Sequence, residues 1–211
     1  SNGIDSDFHY RKQPKKKGFN DKYLILNIGR LSVEKRQDVL IKAVSMSKYK
    51  KNIQIMLAGQ GPRKTYIQKL AKKLDISINV NFYTKQELID IISMTDLYVH
   101  PSDAEIEAIS CMEAFASGLV PVIANSNKSA TVQFALDERS LFEAGNAKDL
   151  AKKIDYWIEH EEEKKQMEFI YSDLARKYDL DACVYNIECM FQDAIENHKE
   201  KEEQYEYRYA K

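Results

Sequence analysis

Apolar residues alternate along this 211-residue chain between short, mostly apolar runs and longer segments in which they recur every three or four positions. The short runs are typical of strands buried in a sheet, and the spaced pattern is typical of helices. Strands are therefore predicted at Tyr23–Ile28, Ile53–Ala58, Ile78–Phe82, Asp96–His100 and Leu119–Ala124. Helices are predicted at Asp38–Met46, Pro62–Leu74, Lys85–Thr95 and the segment that carries Glu113.

Strands that alternate with helices in this way predict an α/β fold, a Rossmann-like parallel sheet with helices on both faces. From Asn146 the pattern is helical, with helices predicted at Ala147–His160, Glu161–Lys177 and Leu180–His198. Three parts follow: a loop over residues 1–20, a Rossmann-like domain over 21–178, and a C-terminal helix with a charged tail over 179–211. The tail beyond His198 is either a frayed helix end or solvated chain.

Composition narrows the class of protein. The net charge of −1 gives no indication of a nucleic-acid partner. Cys111, Cys183 and Cys189 are too few and too dispersed for a disulfide framework, which favours a reducing, cytoplasmic location. No window approaches the roughly 18 apolar residues of a membrane span, and no signal peptide is visible. The chain begins at Ser1 without an initiator Met, so we expect a piece of a longer or processed protein.

Loops at the carboxyl ends of the predicted strands carry groups suited to a nucleotide diphosphate, and ligands bind at this edge of open α/β sheets. After the first strand, Gly29 allows close backbone approach, and Arg30 and Lys35 supply positive charge, unless both are ordinary surface charges. After the second, Gly59 and Gly61 precede a helix and expose backbone amides, although glycines serve many turns for backbone reasons alone.

The third loop offers Thr84, which either meets a base edge or caps the next helix. The fourth carries Glu105, with Glu113 on the helix that follows; a helix from Ile106 would separate them by up to about 12 Å. Two carboxylates so placed can each accept hydrogen bonds from one sugar of a nucleotide sugar. Otherwise Glu105 is a cap-region acid and Glu113 an exposed helix residue, but a buried helix would leave Glu113 in need of a partner. His100, at the end of its strand, is either a satisfied core-edge histidine or a catalytic contact.

These motifs occur in one order: Asn2-Gly3-Ile4-Asp5, Gly29-Arg30-Leu31 with Lys35, Gly59-Gln60-Gly61-Pro62, and Glu105 through Glu113. The set resembles the donor-binding, C-terminal half of the retaining GT-B glycosyltransferases of glycosyltransferase family 4. Segments such as Ser129-Ala130-Thr131 and Gln133-Phe134-Ala135-Leu136-Asp137-Glu138 resemble, within it, bacterial cholesterol α-glucosyltransferases and their lipid- and capsule-glycosylating relatives.

The resemblance implies a hexosyltransferase that transfers a hexose, glucose from UDP-glucose being preferred, to a lipid or polysaccharide. Its catalytic residues would be Arg30, Lys35 and Glu105: the two cations hold the donor diphosphate and Glu105 contacts the hexose. Glu113 would contact the ribose, and the backbone amides around Glu107 and Ala108 the sugar or phosphate. Gly29, Gly59, Gly61 and Thr84 complete the expected donor site.

Two departures from the family pattern stand out. The usual Gly-Phe-Gly after the first glutamate is Ile106-Glu107-Ala108 here, which could alter the sugar-binding loop, and Glu107 itself could contact a hydroxyl. We also expect the acceptor-binding N-terminal domain to lie outside these residues. Residues 1–20 would then be an inter-domain linker, the final helices would fold back toward that domain, and the fragment alone would be inactive or slow. No Asp-X-Asp motif indicates a divalent-metal site for a nucleotide sugar, so neither a metal nor a cofactor is expected.

Two other functions remain open: a sugar-nucleotide epimerase of similar fold, against which the paired glutamates argue, and a non-catalytic module that binds anionic lipid. The lipid-binding hypothesis depends on a basic cluster at Arg11, Lys12, Lys15, Lys16 and Lys17, for which a plain linker is the favoured interpretation. A peripheral contact with the inner face of the membrane is kept as an expectation.

Overall fold

The computed structural model describes residues 3–9 and 22–209. The strands are β1 (Tyr23–Ile28), β2 (Ile53–Ala58), β3 (Ile78–Asn81), β4 (Leu97–His100), β5 (Pro121–Asn125) and β6 (Leu141–Glu143). The helices are α1 (Gln37–Met46), α2 (Lys64–Lys73), α3 (Lys85–Met94), α4 (Ile109–Ala116), α5 (Ala147–Glu159), α6 (Glu161–Ala175) and α7 (Leu180–Tyr209). The predicted α/β class is confirmed.

The six strands form one parallel sheet in the order β3-β2-β1-β4-β5-β6, with the helices packed around it. The order reverses between β1 and β4, since the chain builds outward to β3 on one side and to β6 on the other. At such a switch point the loops after the two central strands diverge and leave a crevice at the carboxyl edge. The topology therefore places the loops after β1 and β4 beside each other.

The central strands are almost wholly buried, and β1 shows why the apolar pattern predicted them so closely. Leu24, Ile25 and Leu26 are at most 4% exposed. Asn27, the polar exception, is 2% exposed and donates from Nδ2 to the Val99 carbonyl at 2.9 Å. A buried amide with its partners in place ties β1 to β4 next to the switch point.

The structure differs from the predicted elements in several places. β6 has three residues, too few for a recognisable pattern, and was not predicted. The last helix continues past His198 to Tyr209, so the charged tail is helical that far. Residues 3–9, placed in the predicted linker, pack onto the domain: Ile4 and Phe8 are at most 4% exposed, and Ile4 forms a β-bridge with Asp179. The predicted domain limits themselves stay predictions.

Candidate functional site: a carboxylate cluster at the switch point

The loops after β1 and β4 are joined by both backbone and side chains. The Asp103 N–H donates to the Glu34 carbonyl at 2.8 Å, and the Arg36 guanidinium binds the Asp103 carboxylate at 2.6 Å. Arg36 adopts a left-handed backbone conformation at φ 49° immediately before α1. These contacts hold Lys35 and Glu105, which belong to different loops, at one place.

Glu105 is the centre of this cluster. Its carboxylate accepts hydrogen bonds from the Lys35 ammonium and from Nε2 of His100, the latter at 3.0 Å, and its side chain is 9% exposed. Burial alone would raise the pKa of Glu105, but the hydrogen bonds from His100 and Lys35 outweigh it and lower the pKa to about 2. Glu105 is therefore ionised at neutral pH and can only accept hydrogen bonds.

The two partners bind the same oxygen. Lys35 Nζ and His100 Nε2 both contact Oε1 of Glu105, and neither contact uses Oε2. These two contacts thus fix the carboxylate through Oε1. A fixed acceptor of this kind suits recognition of a hydroxyl group.

His100 continues the cluster into the core. The ring is buried, and its Nδ1 lies 3.1 Å from the Tyr98 hydroxyl, which lies 3.3 Å from the Ser110 hydroxyl. The sequence left open whether His100 is a satisfied core histidine or a contact at the site; the geometry shows a satisfied core histidine that also binds Glu105. In the sequence, the signal for this contact is a histidine at the end of a strand, five residues before an acid.

Arg30 lies in the same loop as Lys35 but is exposed, and its guanidinium has no ion pair among the described residues. The loop beneath it is supported from the core: Gln37, 1% exposed, donates from Nε2 to the Arg30 carbonyl at 3.1 Å. Positive charge held on a supported loop at the mouth of the crevice is available to an anionic ligand.

Gly59 and Gly61 are required by loop packing. A Cβ on Gly59 would lie 2.0 Å from the Gly29 carbonyl oxygen, and one on Gly61 would lie 2.4 Å from that of Leu31. Gly29 has more room, since the nearest atoms to its Cβ would be Lys35 Cδ and Cε at 3.7 and 3.8 Å. The backbone explanation that the sequence allowed therefore holds for Gly59 and Gly61; contact of all three with a ligand stays a prediction.

The helix that carries Glu113 starts later than the sequence predicts. It begins at Ile109, and Ala108 before it has left-handed angles, φ 57° and ψ 61°. A start at Ile106 is wrong, and the separation of about 12 Å that assumed one helical axis does not apply. Ile106 is 96% exposed at the tip of the loop, while Glu107 and Ala108 are half-buried.

Glu113 sits on α4 among buried neighbours, as the apolar pattern of the helix predicts: Met112 and Ala116 are at most 1% exposed. Glu113 itself is half-buried, and no side-chain hydrogen bond or ion pair to it occurs within residues 3–9 and 22–199. Burial first, and then the charge of Asp5, raise the pKa of Glu113 to about 7, against the opposing effect of Lys85. The expected partner of this acid is not found in the described protein.

Thr84 is the N-cap of α3. Its hydroxyl accepts the Glu87 N–H at 3.4 Å and the Glu87 carboxylate accepts the Thr84 N–H at 2.8 Å, which is a capping box. The capping role is confirmed, and a contact between Thr84 and a base stays a prediction.

The described part of the chain offers neither a metal cluster nor a membrane-spanning helix. Within it, no group of three or more His, Cys, Asp or Glu side chains is arranged to hold a metal ion. No helix there has the length and apolar character needed to cross a membrane. The basic cluster at Arg11, Lys12, Lys15, Lys16 and Lys17 lies outside the described residues.

Comparison with known proteins identifies the class of domain that carries this parallel sheet and the Lys35–Glu105 pair. The family model for glycosyl transferases group 1 matches residues 9–171, and the chain belongs to this family. It is a glycosyltransferase domain of GT-B type.

Individual relatives cover different shares of the chain. The catalytic domain of cholesterol-alpha-glucosyltransferase from Helicobacter pylori is 51% identical, covers 74% of this chain and 98% of that domain, and has a TM-score of 0.73. Alpha-monoglucosyldiacylglycerol synthase of Streptococcus pneumoniae is 29% identical over 107 residues, 49% of this chain and 24% of that protein. The pneumococcal O-GlcNAc transferase solved with UDP and GlcNAc is 19% identical, with a TM-score of 0.76 over 92% of this chain and 38% of that one; that likeness shows the fold alone.

The chain spans 24–41% of the length of the curated relatives it matches. The three relatives are all glycosyltransferases or glycolipid synthases by name. The family is thereby established.

Proposed function

We propose that this chain is the donor-binding half of a retaining glycosyltransferase of family 4 that takes glucose from UDP-glucose and transfers it to a lipid or polysaccharide. The observation that carries the proposal is the Lys35–Glu105–His100 cluster at the switch point. Glu113 on the adjoining helix is half-buried and has no side-chain partner among the described residues. The choice of glucose and of a lipid is supported by the names of the Helicobacter and Streptococcus relatives, which include cholesterol and diacylglycerol.

The hexose would bind at Glu105. Because Oε1 is taken by Lys35 and His100, Oε2 is the atom that would accept a hydrogen bond from a sugar hydroxyl. A low pKa keeps this carboxylate ionised throughout the neutral range, so its acceptor character does not change there.

The diphosphate would lie between Arg30, Lys35 and the start of α4. The Ala108 carbonyl accepts the Cys111 N–H at 2.8 Å, so the amides of Ile109 and Ser110 precede the first bonded turn and point out of the helix. Amides at a helix N-terminus together with two cations stabilise the negative charge that develops on a departing diphosphate. A single such donor contributes roughly 3 kcal/mol to transition-state stabilisation in other enzymes.

The ribose would bind at Glu113. A half-buried carboxyl without a partner gains two hydrogen bonds if it ionises and accepts from both ribose hydroxyls.

The acceptor would be bound by a further domain of the full protein. α7 exposes an apolar stripe formed by Val184, Ile187, Phe191 and Ile195, each at least 41% exposed, and a stripe of this kind is typical of a docking surface. We assign it to the acceptor-binding half of the same protein, so this chain alone would bind donor weakly and turn over slowly. A cytoplasmic place at the inner membrane face belongs to the same proposal, supported by the three free cysteines and by the lipids in the relatives' names.

The test is calorimetric titration of the 211-residue protein with UDP, UDP-glucose, GDP-mannose and NAD. We expect UDP and UDP-glucose to bind, NAD not to bind, and Glu113→Ala to abolish most of the affinity. Glu188→Ala, an exposed glutamate on α7, is the matched control and should bind as the parent does. Absence of UDP binding, or equal binding by Glu113→Ala, contradicts the donor site; a preference for GDP-mannose contradicts only the assignment of glucose.

A further inference from the structure

We propose that His100 is a positioning residue: a neutral imidazole with its proton on Nε2, held by the Tyr98 hydroxyl, that orients the Glu105 carboxylate so that Oε2 faces the donor. The effect of His100 on donor binding rests on the proposed function, but its hydrogen bonds can be tested in the protein without a donor. The side chains involved are Ser110, Tyr98, His100, Glu105 and Lys35, which form one hydrogen-bonded chain from α4 to the loop after β1.

The direction of each bond follows from which atoms can donate. Glu105 is ionised and can only accept, so His100 Nε2 must carry a proton and donate across the 3.0 Å contact. A second ring proton on Nδ1 would place another positive charge beside the Lys35 ammonium, in a ring that is 0% exposed. Because Lys35 already neutralises the Glu105 carboxylate, that second charge would be in excess within a buried ring, which is disfavoured, so Nδ1 is bare and accepts.

Tyr98 completes the chain as the donor to Nδ1. Its side chain is 0% exposed, and burial raises its pKa well above the ordinary value, so the hydroxyl keeps its proton. The Tyr98 O–H then donates to His100 Nδ1 at 3.1 Å, and the Ser110 hydroxyl donates to the Tyr98 oxygen at 3.3 Å or to the Ile28 carbonyl at 3.4 Å. Of the two neutral tautomers, only this one satisfies both ring nitrogens.

The hydrogen-bonded chain of side chains determines how Glu105 is held when the donor binds. Lys35 is a flexible ammonium whose side chain is 22% exposed, and the proposed diphosphate would draw it away from Oε1. His100 cannot follow, because its ring is buried on β4 and fixed at both nitrogens. When the donor binds, His100 is therefore the contact that keeps Oε1 in place and leaves Oε2 directed to the hexose.

The first experiment needs no ligand. Long-range ¹H–¹⁵N NMR of the histidine rings at neutral pH should show His100 with a protonated Nε2 and a bare Nδ1. A carboxyl ¹³C titration should show a higher pKa for Glu105 in His100→Asn than in the parent, since Asn cannot reach Glu105 as Nε2 does. An Nδ1–H tautomer, or an unchanged pKa of Glu105 in His100→Asn, overturns the proposal.

The second experiment separates positioning from folding. His100→Gln places an amide N–H near the Nε2 position and should retain the parent's preference for UDP-glucose over UDP, whereas His100→Asn should lose it. We expect UDP-glucose affinity to fall about tenfold in His100→Asn, the effect of one charge-assisted hydrogen bond, with UDP affinity unchanged. A purely structural role would lower both affinities equally and would show a matching loss of thermal stability in both variants, and that result overturns the proposal.

The two proposals fail in different ways. If the parent protein binds neither UDP nor UDP-glucose, the proposed function is contradicted, yet the tautomer and the Glu105 titration still decide the role of His100. If the parent binds both ligands and His100→Asn behaves as the parent does, the positioning role alone is contradicted.

Discussion

Gly61 and Leu31 are in direct backbone contact. The Leu31 N–H donates to the Gln60 carbonyl at 3.1 Å, the Arg63 N–H donates to the Leu31 carbonyl at 3.0 Å, and any Cβ on Gly61 would lie 2.7 Å from the Leu31 nitrogen. The loop after β2 is thus locked onto the loop after β1, which carries Arg30 and Lys35. The proposed phosphate site can keep its shape only if position 61 carries no side chain.

Gly61→Ala should therefore act on stability and on donor binding together. Overpacking of this kind costs about 1–3 kcal/mol, and it can be relieved only by moving the loop that holds Arg30 and Lys35. We expect a lower free energy of unfolding in urea and weaker UDP binding by calorimetry. Ile154→Val, in the core on α5, is the control: it should lose about 0.5–1.5 kcal/mol and bind UDP as the parent does. Unchanged UDP affinity in Gly61→Ala would show that the loop after β2 does not control the position of Arg30 and Lys35.

Substitutions of Arg30 and of Lys35 should differ in their effect on the free energy of unfolding, although both should weaken donor binding. Arg30→Gln removes an exposed charge with no ion pair in the described chain and should change the free energy of unfolding by less than about 0.5 kcal/mol. Lys35→Gln removes the cation paired with the mostly buried Glu105, which keeps its hydrogen bond from His100. This change should lower the free energy of unfolding by about 1–2 kcal/mol.

Both variants should bind UDP-glucose at least about tenfold more weakly, because each loses a charge-assisted contact to the diphosphate. Lys51→Gln, which removes an exposed lysine just before β2 at the other edge of the sheet, serves as the control and should alter neither quantity. Full donor affinity in Arg30→Gln would show that Arg30 does not contact the donor.

The sequence predicts those parts of the structure that are set by local pattern. β1 and β2 match the predicted limits residue for residue because they are central strands whose apolar runs are bounded by polar turns. The start of α4 was predicted wrongly because Ile106, Glu107 and Ala108 are all compatible with a helix, and no Gly or Pro marks the left-handed residue before it. The pairing of Glu105 with Lys35 depends on the order of strands in the sheet, which hydrophobic periodicity does not encode.

The left-handed conformation of Ala108 predicts a stabilising substitution. An alanine at φ 57° carries a strain of roughly 1–2 kcal/mol, which glycine avoids. Ala108→Gly should raise the free energy of unfolding by about 0.5–1 kcal/mol, once the greater freedom of glycine in the unfolded chain is subtracted. Ala114→Gly, the same change within α4, should instead lower it by about 1 kcal/mol. A loss of stability in Ala108→Gly would show that the left-handed residue is not strained.

Glu113 should make the stability of the protein depend on pH. Its pKa of about 7 lies above the ordinary value of 4.5, so between these pH values the folded protein binds more protons than the unfolded chain. Stability therefore falls as pH rises from about 4.5 to about 7, and the loss is complete above 7. After allowance for partial exposure, Glu113→Gln should be more stable than the parent by about 1–2 kcal/mol at pH 8 and should show little difference near pH 4.5. A difference that is constant with pH in urea unfolding would contradict this assignment.

Donor binding should have the opposite dependence on pH, because the proposed ribose contact needs the ionised form of Glu113. With a pKa of about 7, the ionised fraction of Glu113 rises about tenfold between pH 6 and pH 8, and the affinity for UDP-glucose should rise by about the same factor. UDP-glucose is the suitable probe, since its diphosphate has no free terminal group that titrates in this range. Calorimetry of Glu113→Gln should give a weaker affinity that does not change with pH. An equal rise with pH in the parent and in Glu113→Gln would assign the titration to another group and would remove Glu113 from the ribose contact.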